Sequence, residues 1–287
     1  MKHGLLFVNH FLASGSFDAL YSLFDAAAQT CGVTLSRVTG GEAVASFDEH
    51  PARGADFVVF WDKDVAAARR ILRHGIPVFN SPDAIRICDS KSETAEALLS
   101  ASLPTPRTLV APMTYETVGY TKDDFIARGA SVLGFPLVIK ECYGSFGEQV
   151  YLASSLEEAK ETVKRIGAKP LLFQEFISRS FGTDVRVNVV GDRAVCAMKR
   201  TGRPGDFRSN IAHGGTGEPY TLSADEEAVA VAAARAVGAD FAGVDLLFGE
   251  NGPLVCEVNS NPHFTGTYKA TGINLAVPIF EHILNNI

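Results

Sequence analysis

The chain has 287 residues, 46% of them hydrophobic and 21% charged, with 26 glycines and 13 prolines spread along its length. That length suits about two compact units of roughly 100–150 residues with filled cores, and excludes disordered, collagen-like and disulfide-stapled chains. The net charge of −7 leaves no broad basic footprint for nucleic acid or an anionic membrane, so any phosphate site must be local. Five widely spaced cysteines, with no C-x-x-C pair and no zinc-type clustering, fit a reducing cytoplasm. No stretch approaches the roughly 20 apolar residues of a membrane span.

In chain order, Leu5–Val8, Val33–Val38, Phe57–Phe60 and Val78–Phe79 read as strands, with helices at Asp18–Thr30 and Val65–Arg73 between them. Alternation of this kind implies parallel strands with crossover helices. The opening run is weakly like a signal peptide, but Asn9 and His10 break it, and it reads better as a strand and turn. Ser81 is placed to cap a short helix beginning at Pro82, and a second helix spans Ser90–Ser100. Pro104 and Pro106 then make an extended connection and a boundary region. The middle reads helix Lys122–Leu133, strand Leu137–Glu141, a turn at Gly144–Gly147, strand Val150–Leu152 and a helix for which Ser155 and Glu158 have capping-box spacing. From Leu171 the pattern turns antiparallel: strands Leu171–Glu175, Asp184–Val190 and Ala194–Lys199, helix Ala224–Ala236 behind the Ser223/Glu226 box, a hairpin, and helix Leu275–Leu284. The whole is α/β followed by α+β.

The hairpin, Gly243–Phe248 with Leu254–Val258, carries the most chemistry. A three-residue loop Glu250-Asn251-Gly252 would set Asp245 opposite Glu257. One face then holds Val244, Leu246, Phe248, Leu254, Cys256 and Val258, and the other holds Asp245, Glu257 and Asn259. Carboxylates gathered this way repel unless a cation lies between them, and hard oxygen donors suit Mg²⁺. A merely solvated polar face is the bland alternative. A basic knot of Lys199, Arg200, Arg203 and Arg208 faces only Asp206 and reads as an anion site or a solvated loop. Lys140, just before Gly144-Ser145-Phe146-Gly147, pairs an ammonium with a turn whose N–H groups can close over phosphates. P-loop and Rossmann fingerprints are absent.

Taken together, NSPDAIRICDSK, PLVIKECYGSFGEQVYL, LLFQEFI, GTDVRVNVVGD, MKRTGRPGDFRSNIAHGG, AGVDLLF and EVNSNP resemble, in order, the ATP-grasp superfamily and within it the RimK-type carboxylate–amine ligases. The resemblance implies an ATP-grasp fold behind an N-terminal parallel α/β domain, divided at residues 1–88 (acceptor side), 89–170 (central, with a glycine lid) and 171–287 (metal side). Under it Lys91 and Lys140 would contact ATP phosphates, and Glu175, Phe176 and Ile177 would form the adenine hinge. Asp184 would sit near the ribose, and Arg208, Ser209 and Asn210 on the phosphate and substrate side. Asp245, Glu257 and Asn259 would hold two Mg²⁺, or Mn²⁺, with Glu257 bridging. Arg200 would steady an acyl phosphate, and Ser145, Phe146 and Gly147 would belong to a mobile lid over ATP.

The implied reaction is attack of a carboxylate on the γ-phosphorus, then capture of the acyl phosphate by an amine. The expected partners are an amino acid such as glutamate and a carboxylate on a metabolite, peptide or protein, in a homodimer or homotetramer. A nucleotide-binding scaffold without turnover and a dipeptide ligase of the D-alanine type are the rival readings. One departure is local: after Glu257-Val258-Asn259 the glutamate ligases run to a small residue and then Pro-Gly, whereas here Asn261-Pro262-His263-Phe264 brings a bulky, titratable pair near the expected acceptor pocket. Another is Ser90, where many members have an acid. His213 and His263 are candidate bases, more readily taken as hydrogen-bonding neighbours. Cys142 is expected to be inert, Phe173, Phe176 and Phe181 to pack, and Trp61 has no clear assignment.

Overall fold

The structure is a computed structural model and describes residues 1–12, 15–42, 52–209, 211 and 214–287. Its first layer is a parallel sheet of β1 (Lys2–Val8), β2 (Val33–Thr39), β3 (Phe57–Trp61) and β4 (Val78–Phe79) in the order β2-β1-β3-β4. Helix α1 (Gly15–Thr30) packs on the face bearing Leu6, Val8, Val59 and Trp61, and α2 (Val65–Arg73) on the face bearing Leu5, Phe7, Val58 and Phe60. The continuous apolar runs of β1 and β3, buried on both sides, are what a doubly covered parallel sheet requires.

Ser81 caps α3 (Pro82–Asp89) by accepting from Ala84 N, and Ser90 both ends that helix and caps α4 (Lys91–Ser100). The central layer is antiparallel: β5 (Thr108–Val110), β6 (Leu137–Glu141), β7 (Val150–Ala153) and β8 (Leu171–Glu175), ordered β5-β8-β6-β7. It is backed by α5 (Asp124–Leu133) and α6 (Leu156–Ile166), with Phe173 and Ile139 in the shared core. The third layer orders β11 (Thr216–Pro219), β10 (Arg193–Thr201), β9 (Thr183–Val190), β12 (Phe241–Phe248) and β13 (Pro253–Asn259) side by side. Helix α7 (Ala224–Ala236) and Leu98 of α4 cover its apolar face. Short α8 (Thr265–Thr271) and α9 (Ala276–Leu284) close the chain.

The first and third layers share one core. Trp61 stacks on Phe241 at 5.4 Å, and Phe24 of α1 meets Phe264 and Phe280 edge-on. Trp61 is thus a packing residue. Beside it the fully buried Asn80 donates to Phe241 O (2.9 Å) and Ser260 O (2.7 Å). Its Oδ1 accepts from Asp240 N (2.6 Å) and Phe241 N (3.2 Å). Asn80→Ala strands all these backbone groups in a dry core, and should lower the unfolding free energy in urea by about 3 kcal/mol or more. A loss under about 1 kcal/mol would show that water replaces the amide.

Candidate active site

Strand β9 alternates Asp184, Arg186 and Asn188 with the buried Val185, Val187 and Val189. That period-2 pattern gives the third sheet one polar face. Register then assembles it, because Arg200 of β10 lies opposite Asp184, and Asp245 of β12 opposite Arg186. Arg200 Nε donates to Asp184 Oδ1 (2.7 Å) and its Nη2 reaches Asp245 Oδ2 (2.9 Å). Arg186 grips Asp245 in bidentate fashion, Nη2 to Oδ2 at 2.8 Å and Nε to Oδ1. The Ser209 hydroxyl also bonds Asp184.

Both aspartates are about 95% buried, which pushes their carboxyls up. At Asp245, Arg186 and Arg200 outweigh burial and hold the acid below the ordinary aspartate range, whereas at Asp184 burial prevails over its one arginine, Arg200. Arg186 was not picked out in the sequence, although the D-V-R-V-N-V alternation marks it as a neighbour of Asp184 on one face.

Asp245 and Glu257 are directly opposite across β12 and β13, as the hairpin spacing predicts, so both carboxylates leave the same sheet face. Beyond that pair the register shifts, Leu246 facing Val255 and Phe248 facing Pro253. A β-bulge at Cys256 is the reason, and the loop closes through Gly249 N to Gly252 O (3.0 Å) in place of the expected three-residue turn. The predicted apolar face is corrected accordingly: Val255, not Leu254 or Cys256, joins Val244, Leu246 and Val258 in the core. Val255 N is taken up by Pro104 O (2.8 Å), so the P-x-P connection pairs with β13. Cys256 turns instead to Lys140, its Sγ 3.4 Å from Nζ. Burial pushes its thiol up, beyond what Lys140 takes back, so it stays a neutral thiol.

Cations converge on the glycine turn. Lys91 Nζ donates to Gly144 O (3.2 Å) and pairs with Glu257 Oε1 (3.5 Å). Arg208 Nη1 donates to Gly147 O (3.0 Å) while its other donors fork onto Asp206. Lys63, which sequence reasoning passed over, reaches Ser145 Oγ (3.2 Å) from the first sheet. Phe146 sits in the left-handed region at φ +60° and is half exposed, a strained position of the sort that functional turns keep. The basic segment folds back over this turn because Gly202 and Gly182 leave room, the backbone of Arg208 and Asp206 lying where their Cβ atoms would be.

Lys91, Lys140, Glu257 and Cys256 line a cavity of about 20 Å³ between α4 and the second and third sheets, with Gln174 and Leu172. At the hinge, Glu175 turns its carboxylate to Arg107 (2.7 Å), Phe176 packs edge-on against Phe181 and Phe207, and Ile177 leads into a 3₁₀ turn at Ser178–Ser180. Phe173 is core, as expected. His263 stacks edge-on against Phe17 (5.2 Å) and shares Nδ1 with Thr265 Oγ1 (3.0 Å). Asn210 and His213 lie outside the described residues.

For a divalent cation the donor set fits: Asp245, Glu257 and Asn259 all offer hard oxygen, and Asn259 uses its Nδ2 on Gly243 O (3.3 Å), leaving Oδ1 for a cation. Asp245 must exchange Arg186 to take part, since both its oxygens accept from that guanidinium. Among the described residues, no group of three or more His, Cys, Asp and Glu side chains is arranged as a metal cluster.

The sequence profile of the RimK-like ATP-grasp domain matches residues 88–283. The chain belongs to that family. With membership goes the reaction class, ATP-dependent joining of a carboxylate to an amine. A "Probable alpha-L-glutamate ligase" of Legionella pneumophila (strain Corby) is 38% identical over 248 residues, 85% of this chain and 78% of that protein. Among solved structures, a RimK domain ATP-grasp protein from Sphaerobacter thermophilus superposes with TM-score 0.74 over 98% of this chain and 99% of that one, at 22% identity. The ATP-grasp ligase PsnB, bound to a precursor variant, Mg and ADP, gives 0.71 over 99% and 97% at 20% identity. The latter two likenesses establish the ATP-grasp fold that the motifs implied. No helix among the described residues is long and apolar enough to cross a membrane.

Removing Arg200 leaves Asp184 and Asp245 buried without a shared counterion. Arg200→Met should therefore cost about 3–5 kcal/mol in urea unfolding; a loss under about 1 kcal/mol would show that the aspartates are hydrated. Because the native Asp245 acid is depressed, the unfolded chain binds the proton first on acidification, and stability contributed above the ordinary aspartate value is lost as pH falls through the native one. The stability gap between wild type and Asp245→Asn should accordingly hold steady from about pH 7 to about pH 5 and shrink only as the pH falls below the ordinary aspartate value.

Proposed function

We propose that the protein is an ATP- and Mg²⁺-dependent ligase that activates a substrate carboxylate as an acyl phosphate and joins it to the amino group of an amino acid, glutamate in the first instance. The observation that carries this reading is the convergence, on one face, of Asp245 opposite Glu257, Arg200 against Asp245, and Lys91 between Glu257 and the glycine turn. The Legionella relative's description as a glutamate ligase supports the amine, and the Mg and ADP bound to PsnB support the metal.

In this reading Lys91 and Lys140 bind the phosphates, the backbone of Glu175, Phe176 and Ile177 receives adenine, and Asp184 the ribose. Ser145, Phe146 and Gly147 close over the nucleotide, while Arg208, Ser209 and Asn210 line the phosphate and substrate side. Asp245, Glu257 and Asn259 would hold the Mg²⁺ ions, which would neutralise charge on the transferring phosphoryl group. Arg200, rigidly held by two carboxylates, offers its guanidinium to the acyl phosphate. The carboxylate oxygen attacks the γ-phosphorus and ADP leaves. The amine then attacks the acyl carbon, the C–O bond to phosphate breaks, and a proton passes to solvent. Positioning and charge supply the acceleration, so no side-chain nucleophile is required. A three-part division at 1–88, 89–170 and 171–287 belongs to the same proposal, with acceptor choice assigned to the first part.

Incubation with ATP, Mg²⁺, pooled amino acids and candidate carboxylates should yield ADP, phosphate and a new amide mass. Glu257→Ala should lower that turnover by about a hundredfold or more. EDTA should abolish it, and Mg²⁺ or Mn²⁺ restore it. Amide formation that survives in Glu257→Ala would remove the metal assignment, and tight ATP binding with no turnover on any substrate would favour the scaffold.

A further inference from the structure

In the first sheet the chain runs from β1 outward to β2, then crosses back to place β3 on the other side of β1. The strand order therefore reverses between β1 and β3, and the carboxyl ends of the strands at such a switch point are where open parallel sheets receive ligands. Asn9 follows β1, and Asp62 and Lys63 follow β3. These residues are tied together: Asp62 Oδ1 accepts from Asn9 Nδ2 (3.1 Å) and from Lys63 N (2.7 Å). The buried Asp62 thus fixes the backbone of a lysine whose side chain is 38% exposed.

Lys63 extends from this strand end to the glycine turn. Its Nζ lies 2.5 Å from Asp89 Oδ1 and 3.2 Å from Ser145 Oγ. An ammonium has three donors, and a neutral hydroxyl is a weaker partner for one of them than a carboxylate.

The geometry points to Lys63 as a substrate-recognition residue, whose ammonium holds the carboxylate substrate at the switch point of the first sheet, a substrate oxygen taking the place of the Ser145 hydroxyl. This role rests on the ligase reading above. Asp89 keeps the ammonium aimed, and Asp62 with Asn9 sets the strand end from which it projects. The contact also explains how a domain that carries none of the nucleotide residues reaches the reacting centre: it does so through one side chain laid against the turn.

The test uses the full chain with ATP and Mg²⁺, with hydroxylamine as the amine. Hydroxylamine nitrogen attacks the acyl phosphate carbon, phosphate departs, and the hydroxamate is read by its ferric colour. Acetate, succinate, glutarate and a peptide ending in two glutamates serve as acids, for wild type, Lys63→Met and Lys63→Arg. Lys63→Met is expected to raise the KM of the best acid about ten- to a hundredfold while the KM of ATP stays within about twofold, and Lys63→Arg to recover most of the loss. An unchanged acid KM in Lys63→Met, or an equal rise in the KM of ATP, overturns the role of Lys63 and leaves the ligase reading intact. Wild-type protein that forms no hydroxamate from any of these acids overturns the ligase reading, and this role with it.

Discussion

Two aspartates and two arginines, packed side by side on one face of the third sheet, set the terms for the rest of the molecule. Charges this deeply buried contribute little net stability and are tolerated only when every one is matched. Matching demands a fixed register among β9, β10 and β12, because a slip of one residue would turn Arg186 or Arg200 to the apolar side. The apolar partners of the same strands, Val185, Val187 and Val244, enforce that register from beneath. A costly polar face and a rigid hydrocarbon face are thus two consequences of one alternating pattern.

The bulge at Cys256 adjusts the last strand to this face. Without it, Cys256 would lie in the core and Val255 would point at Lys140. With it, a small neutral thiol stands beside the ammonium, and the freed N–H of Val255 goes to the prolyl connection. The connection that begins the central layer is thereby fastened to the sheet that bears the carboxylates. Lys140 of the central layer and the carboxylates of the third are brought within reach of each other by this backbone pairing.

Much of the architecture is legible in the sequence because its signals are local. Capping serines at 81, 155 and 223 mark helix starts, and each accepts the backbone N–H expected of it. The opposition of Asp245 and Glu257 follows from turn position and period. Strands β5 and β11 and helix α8 are not legible: the first is three residues behind two prolines, the second is Thr-Gly-Glu-Pro, and the third carries no apolar stripe. The bulge leaves no trace in composition, since two-against-one pairing is a property of the partner strand. Lys63 was equally hidden, an ordinary charged residue after a strand until the fold sets it beside a turn 82 positions away. Arg186 was visible in the alternation but has meaning only once its neighbour across the ladder is known.

The stacked pair of Trp61 and Phe241 has a practical side. Trp61 is the chain's single tryptophan, and it lies in the core that joins the first sheet to the third rather than in the groove between the second and third. These outer layers are welded by aromatic packing and by the Asn80 bridge. Indole emission therefore reports on the weld alone. It shifts to the red when the first sheet peels away from the third and water reaches the ring.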